Sequence, residues 1–571
     1  MQRRQFIQAV GAAPTAALAT QTALAGDENA LATSSSPAEP TVLLYDDGRH
    51  AAPIYQYAPP LRPQDFLVTV DQCIGSGADT LVYFSGLEGG IAIYDSQVSQ
   101  KWGDNVDKWK HPVWYRGARH LKQLIDAGHD PLKLLCDRCH EKGLWFIAAD
   151  YIGLQGSDRE KDAGYGRKSD FVYNHPEFSV GHDPDPRAKD IDPKRFSFLH
   201  PALREERMRV YSELLRRYET DGVEVNLAEF VPFCKFQEVD QLAEALTAWL
   251  RDLRREAQHA EQEQGRRKRV YVRIPAHPDA WKMLGYQVSK WIDEELIDAM
   301  VCLPGLMESV LEQDVDLSAA VERTRNSTCR VIAGMSPIVG REFNLNASQA
   351  MTWAAAANAY RQGVSGFAVV TYCWLPNGWP WVPEDYQTLR PLGHPDLLTH
   401  VNKHYHVRSE PDGPVGGAAF DEWLPGMARS LPQRLNEGHP ITVHFSITDD
   451  LAAAAGEGKL DSIELRVRLT NVEPSLNDLR VELNGKVLPD KLLRLYDLTY
   501  RRHKTGGMGP YGYIYEYRLE APYFPTPGSN ELIVTLIKDD PLLDAAIDLH
   551  DVDCLIHYRV HRDFDATVAN I

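Results

Sequence analysis

Glu224, Asn226 and Glu229 fall within a few residues of one another in the stretch Tyr218–Phe230, Tyr-Glu-Thr-Asp-Gly-Val-Glu-Val-Asn-Leu-Ala-Glu-Phe. Carboxyl groups placed together can divide acid–base work, one holding a proton while the other stays ionised. Cleavage of a glycosidic bond needs such a pair, set about 5 Å or about 6.5–9.5 Å apart. Val223, Val225 and Leu227 alternate with Glu224 and Asn226, which is the period of a strand. The aliphatics therefore face one way, the acid and the amide the other. Glu229 follows just past the strand, at the end where parallel-barrel enzymes place their chemistry. Phe230, Val231, Pro232 and Phe233 give it an apolar setting that favours the neutral acid, so Glu229 is the expected general acid. The plain alternative is a buried strand whose Glu224 is merely hydrogen-bonded, although a buried carboxylate is costly unless something pairs or uses it.

Other carboxyls close other strands: Asp46 and Asp47 the first, Glu88 the second, Asp150 the third and Glu308 the sixth. Fourth-strand residues face the third and fifth strands, so Asp150 with Glu229 or Glu224 is the expected catalytic pair, Asp150 being the ionised base or nucleophile. Asp46 and Asp47 could equally cap a strand end. Asn226 neither attacks nor takes a proton, but it can hydrogen-bond a sugar hydroxyl. Trp102, Trp109 and Trp114 fall in the second strand–helix loop and Trp374, Trp379 and Trp381 in the eighth, six of the 12 tryptophans. Indole stacks on the apolar face of a sugar ring, so Trp102, Trp114, Trp374, Trp379 and Trp381 join Asp46, Asp47 and Glu88 as expected substrate contacts. The alternative is loops packed on themselves.

Two strings suggest metals or haem. His175, His182, Asp183 and Asp185 occupy the long loop from Tyr151 to Leu199 without a recognised ligand spacing, and no metal is expected there. Cys136-Asp137-Arg138-Cys139-His140 is a haem-attachment string, but it lies inside the apolar-periodic helix Leu132–Lys142. Haem there would pull the helix off the sheet, so no cofactor is expected.

These residues need a frame. Strand patterns at Val42–Tyr45, Thr80–Phe84, Leu144–Ala149, Val223–Leu227, Val270–Ile274, Ala299–Leu303, Arg330–Ala333 and Gly366–Thr371 alternate with helical ones near 64–76, 116–142, 202–219, 237–263, 286–296, 317–326, 347–362 and 383–404. Eight such units make an α/β chain with a (β/α)₈ TIM barrel over 41–407. An open doubly wound sheet is the runner-up. Gly143, Gly222 and Gly363 sit between helix and strand, where a left-handed residue ends a helix. After a linker, 408–439, short strands separated by turns such as Asn484-Gly485 and Pro527-Gly528 predict an all-β, jelly-roll-like sandwich over 440–571. It either binds carbohydrate or buttresses the barrel.

Leu199-His200-Pro201-Ala202-Leu203-Arg204, with Tyr218-Glu219-Thr220-Asp221-Gly222-Val223-Glu224, resembles the helix-to-strand segment of bacterial glycosyl-hydrolase-like barrels, which reads roughly hPevR…rYdvDGIelDf. Gly363-Val364-Ser365-Gly366-Phe367, and Gly393-His394-Pro395-Asp396-Leu397-Leu398 with Lys403-His404-Tyr405, resemble the last strand and closing helix of the same group. The likeness covers roughly 41–407 and implies an exported glycosidase. Asn226 stands where that pattern has Asp.

The chain has 571 residues, a formal charge of −19, 43% hydrophobic and 25% charged residues. The length predicts more than one domain, and the acidic balance argues against nucleic acid or anionic membrane as partner. Arg266-Arg267-Lys268-Arg269 reads as a solvated helix end. Arg3-Arg4-Gln5-Phe6-Ile7, an alanine-rich run and Ala23-Leu24-Ala25 resemble a twin-arginine signal over 1–25, followed by a linker, 26–40. No later stretch has the apolar length of a membrane span. The expectation is an exported periplasmic or extracellular protein with buried free thiols and a carbohydrate substrate: a glycoside hydrolase or, because of Asn226, a non-catalytic carbohydrate-binding barrel.

Overall fold

A computed structural model describes residues 39–48, 58, 60–189, 191–305, 311–335, 338–339, 345–370, 381–409, 424–425, 430–496 and 512–559. Eight parallel strands close into a barrel in chain order: β1 Val42–Asp46, β2 Thr80–Phe84, β3 Trp145–Tyr151, β4 Gly222–Asn226, β5 Arg269–Pro275, β6 Ala299–Leu303, β7 Arg330–Met335 and β8 Gly366–Val369. Their residues are almost all buried because the lumen covers one face and helices the other. The outer layer includes α1 Pro112–Asp126, α2 Pro131–Glu141, α3 Pro201–Arg216, α4 Val239–Gln264 and α5 Gln349–Arg361. The helix expected over 116–142 is two helices. Asp130 caps the second through Leu132 N, and Pro131 has no N–H with which to continue the first.

Strand parity decides which side chains see the lumen. Tyr45 on β1 donates its hydroxyl to Glu224 on β4, and two non-adjacent strands meet this way only through the lumen. Lateral neighbours share a face, so Ala149, Glu224 and Tyr271 point inward in one row and Tyr151, Asn226 and Arg273 in the next. The second row continues through Val301, Ile332 and Gly366, the first through Ala299 to Arg330. Polar lumen groups near the mouth therefore gather at β4 and β5, while β6 to β8 turn Val301, Ile332, Gly334 and Ala368 inward beside them. Gly222 is not left-handed, unlike Gly143 (φ +73°) and Gly363 (φ +93°). It is small because a Cβ there would stand 2.3 Å from the Arg269 carbonyl oxygen.

The second core is a β-sandwich built from β9 Lys403–His406, β10 Ile441–Ile447, β11 Leu460–Thr470, β12 Asp478–Leu483, β13 Leu493–Tyr496, β14 Gly512–Arg518, β15 Gly528–Lys538 and β16 Asp548–Tyr558. One sheet runs β9-β16-β11-β14-β13 and the other β10-β15-β12. The helix expected to reach 404 stops at Leu389, since Pro391, Gly393 and Pro395 break it into short 3₁₀ turns. Lys403–His406 is instead a strand paired to β16. Barrel and sandwich are sewn together: Asn358 Nδ2 donates to Ser446 O (3.2 Å), Arg361 to Ile447 O (2.7 Å), and Gln313 Oε1 accepts His406 N (2.6 Å).

Two other expectations meet the structure here. The basic run is only half solvated. Lys268 is fully buried and donates to Thr220 O at 2.6 Å, and Arg269 stacks on the Trp145 ring. The haem-like string lies within α2, with Cys136 and Cys139 buried and His140 Nε2 2.9 Å from Asp221. Among the described residues no helix is long and apolar enough to cross a membrane.

Candidate active site

Glu224 is wholly buried on the lumen face of β4. The Tyr45 hydroxyl donates to Oε2, and Arg273 Nε lies 3.2 Å from Oε1. Burial pushes this carboxyl up, while the Arg273 charge and the Tyr45 hydrogen bond pull it back. The guanidinium is also held by rings, 4.9 Å from the centroids of Tyr45 and of Phe84. Its Nη2 lies 3.8 Å from Glu229 Oε1, which accepts the Asn226 amide at 2.7 Å. Asn226 Oδ1 takes Ala228 N at 3.0 Å, bending the chain as it leaves the strand. Phe230 follows in the left-handed region at φ +57°, edge-on to Tyr151, which packs on Phe84. A bulky residue in that conformation is strained unless its surroundings fix it.

Glu224 and Glu229 thus share one guanidinium, the first at Nε and the second at Nη2. Glu229 keeps 15% of its side chain exposed. It offers the accessible oxygens at the mouth, with an aromatic wall of Phe84, Tyr151 and Phe230 beside it.

Asp150 is not brought to this pair. It shares a row with Val225 and so faces the helix layer, where Ser85 Oγ donates at 3.0 Å and Arg207 Nη1 lies 3.6 Å away. Burial pushes its carboxyl up to about 6, against the Arg207 charge. The Asp150–Glu229 and Asp150–Glu224 pairs expected from sequence fail on that parity, because one residue along a strand reverses the side chain. Asp46, next to Tyr83 in register, likewise faces away from the lumen. It accepts Gly48 N at 2.7 Å and is pushed up to about 7 by burial and by Asp47. Asp47 is buried one residue beyond the strand.

The expected aromatic contacts divide. Trp102 is only 4% exposed and belongs to the core. Trp114, in the first turn of α1, carries the Arg167 guanidinium at 4.7 Å, and Arg167 pairs with Glu88 at 2.5 Å. Its other neighbours are His111 and Tyr165. Trp381 packs on Tyr386. Trp374, Trp379 and Glu308 lie outside the described residues. In the long loop His175 stacks on Phe178, and Asp183 accepts Phe236 N at 2.8 Å. No cluster of His, Cys, Asp and Glu suited to a metal occurs among the described residues.

The sequence reading missed Tyr45 and Arg273. A signal existed: in Val-Tyr-Val-Arg-Ile, period-two alternation puts Tyr271 and Arg273 on one face.

No family model and no curated protein matches this chain. Among solved structures it is similar to a cycloisomaltooligosaccharide glucanotransferase from Paenibacillus sp. (9% identity, TM-score 0.33, 91% of this chain and 58% of that one). Others are a glycoside hydrolase domain from Bordetella bronchiseptica (12%, TM-score 0.38, 62% and 98%) and a noncanonic maltogenic alpha-amylase from Thermotoga neapolitana (11%, TM-score 0.34, 84% and 99%). This chain spans little more than half the length of the first. Likenesses this weak carry no argument about its chemistry.

Proposed function

We propose that the barrel mouth binds a carbohydrate and that Glu229 transfers the proton in cleavage of a glycosidic bond. The observation that carries this reading is the convergence of Glu224 and Glu229 on Arg273 at the C-terminal end of the strands. Glu229 is the carboxyl that reaches substrate. Glu224 is the second carboxyl, and Arg273 compensates the negative charge that both develop when ionised. Asn226 orients Glu229 from beneath the mouth. The resemblance of residues 1–25 to a twin-arginine signal makes the protein an exported one in this reading.

A second reading, carbohydrate binding without turnover, is favoured by one feature. Glu224 is sealed between Tyr45 and Arg273, leaving Glu229 as the accessible carboxyl of the pair. Screening the purified protein against a polysaccharide panel, followed by Glu229→Gln, separates the two. Hydrolysis that drops roughly a hundredfold or more in Glu229→Gln with binding intact is the outcome of acid catalysis. Binding with no release of reducing ends by the unmutated protein leaves the second reading. Unchanged turnover in Glu229→Gln removes Glu229 from the mechanism.

A further inference from the structure

A recess of about 270 Å³ lies between the barrel rim and the sandwich. Ala276 and His277 follow β5 directly and Pro304 follows β6, so one wall is the rim on which Glu229 also opens. The facing wall is sandwich: Val407, Arg408, Ser430 and His444. His444 belongs to the exposed side of β10, whose alternate residues Val443 and Phe445 fill the sandwich core.

The polar groups of this recess are fixed in place. Glu312 Oε1 accepts Asp314 N at 2.8 Å, and both carboxylate oxygens of Asp314 accept Ser446 N, at 2.9 and 3.1 Å. Asp314 and His444 nevertheless keep exposed surface. Arg408 is buried beneath them. Carboxylates accept and imidazole both donates and accepts, so the lining can answer hydroxyl groups of either sense. Val315, Val407 and Pro304 supply the apolar patches that the C–H face of a pyranose needs. The volume lies just below the range of ligand sites for drug-sized molecules, about 300–1,000 Å³.

We infer that this recess is an accessory sugar site, holding one or two hydroxyl-rich pyranose units of the chain whose scissile bond lies at Glu229. The inference rests on the carbohydrate reading of the mouth and gives the sandwich a part in recognition.

The test is titration calorimetry of Glu229→Gln with malto-, cello- and chito-oligosaccharides from two to six units long. Glu229→Gln is the background because it prevents turnover. His444→Trp fills the recess from a solvent-facing strand position, and His277→Ala trims the opposite wall. In either double variant, six-unit affinity should fall about tenfold or more, equivalent to about 1.4 kcal/mol, with two-unit affinity unchanged. Melting temperatures matching the parent certify the fold, and His277→Ala decides alone if His444→Trp is unstable. Unchanged six-unit affinity in the folded variants overturns the accessory site and leaves Glu229 untouched. Failure of Glu229→Gln to bind any oligosaccharide overturns the carbohydrate reading itself.

Discussion

Asn226 donates its amide to Glu229 Oε1 at 2.7 Å, and the same oxygen faces Arg273 Nη2 at 3.8 Å. The residue that departs from the family-like pattern is thus the one that orients the accessible acid. Asn226→Asp replaces a donor by a third carboxylate beside a single guanidinium. Like charges this close cannot all ionise, so one proton is retained to higher pH. On a substrate found by the panel, the pH–rate profile of Asn226→Asp should shift to higher pH, with turnover at neutral pH down about tenfold. An unshifted profile would mean that Asn226 does not govern Glu229.

Arg273 is fully buried and lies against both glutamates. Removing one member of a buried pair strands the other charge, which costs about 3–5 kcal/mol. Arg273→Met should lower stability on that scale in urea unfolding. Glu224→Gln together with Arg273→Met should recover part of the loss, because the stranded charge is gone. Additive losses in the double variant would show that the two side chains are not coupled.

Burial raises several carboxyls above their ordinary range, among them Asp46, from 3.8 to about 7, and Asp150, from 3.8 to about 6. Between those limits the folded chain binds more protons than the unfolded one, so stability falls as pH rises. Carboxyls pulled downward, such as Asp185 at about 2, act in the opposite sense only at more acid pH. The melting temperature should therefore decline from about pH 5 to about pH 8, and Asp46→Asn should flatten that decline. A melting temperature that climbs over this interval would contradict the assignment.

Cys136 and Cys139 are buried in α2, and burial pushes the Cys136 thiol up to about 12 and the Cys139 thiol well above its ordinary value. Protein purified from its native host should show no Soret absorbance. Iodoacetamide, which needs thiolate, should modify both thiols slowly until the protein is unfolded. Covalent haem, or fast labelling of the folded chain, would mean that α2 does not pack as described.

The barrel was legible because its strands are runs such as Thr80–Phe84 and Ala299–Leu303, bounded by helical periods, and their bounds agree with the structure within about two residues at most ends. Glu224 and Asn226 were legible as an inward pair from alternation alone. Asp150 was not, since its face depends on the register of β3 against β4, which no single strand records. Tyr45 escaped because its partner lies on a strand 179 residues away. Lys403–His406 was read as helix end because its strand partner, β16, lies far along the chain and propensity over four residues is weak.

That pairing bears on how the protein is made. His404 meets Asp553 at a separation of 149 residues, so the strand next to the barrel stays open until nearly all of the sandwich has been synthesised. A nascent chain at that stage has Gln313, Asn358 and Arg361 waiting for groups that β9 and β10 supply. Truncations that stop after the barrel should leave these donors and acceptors at a raw, sticky face and go to inclusion bodies.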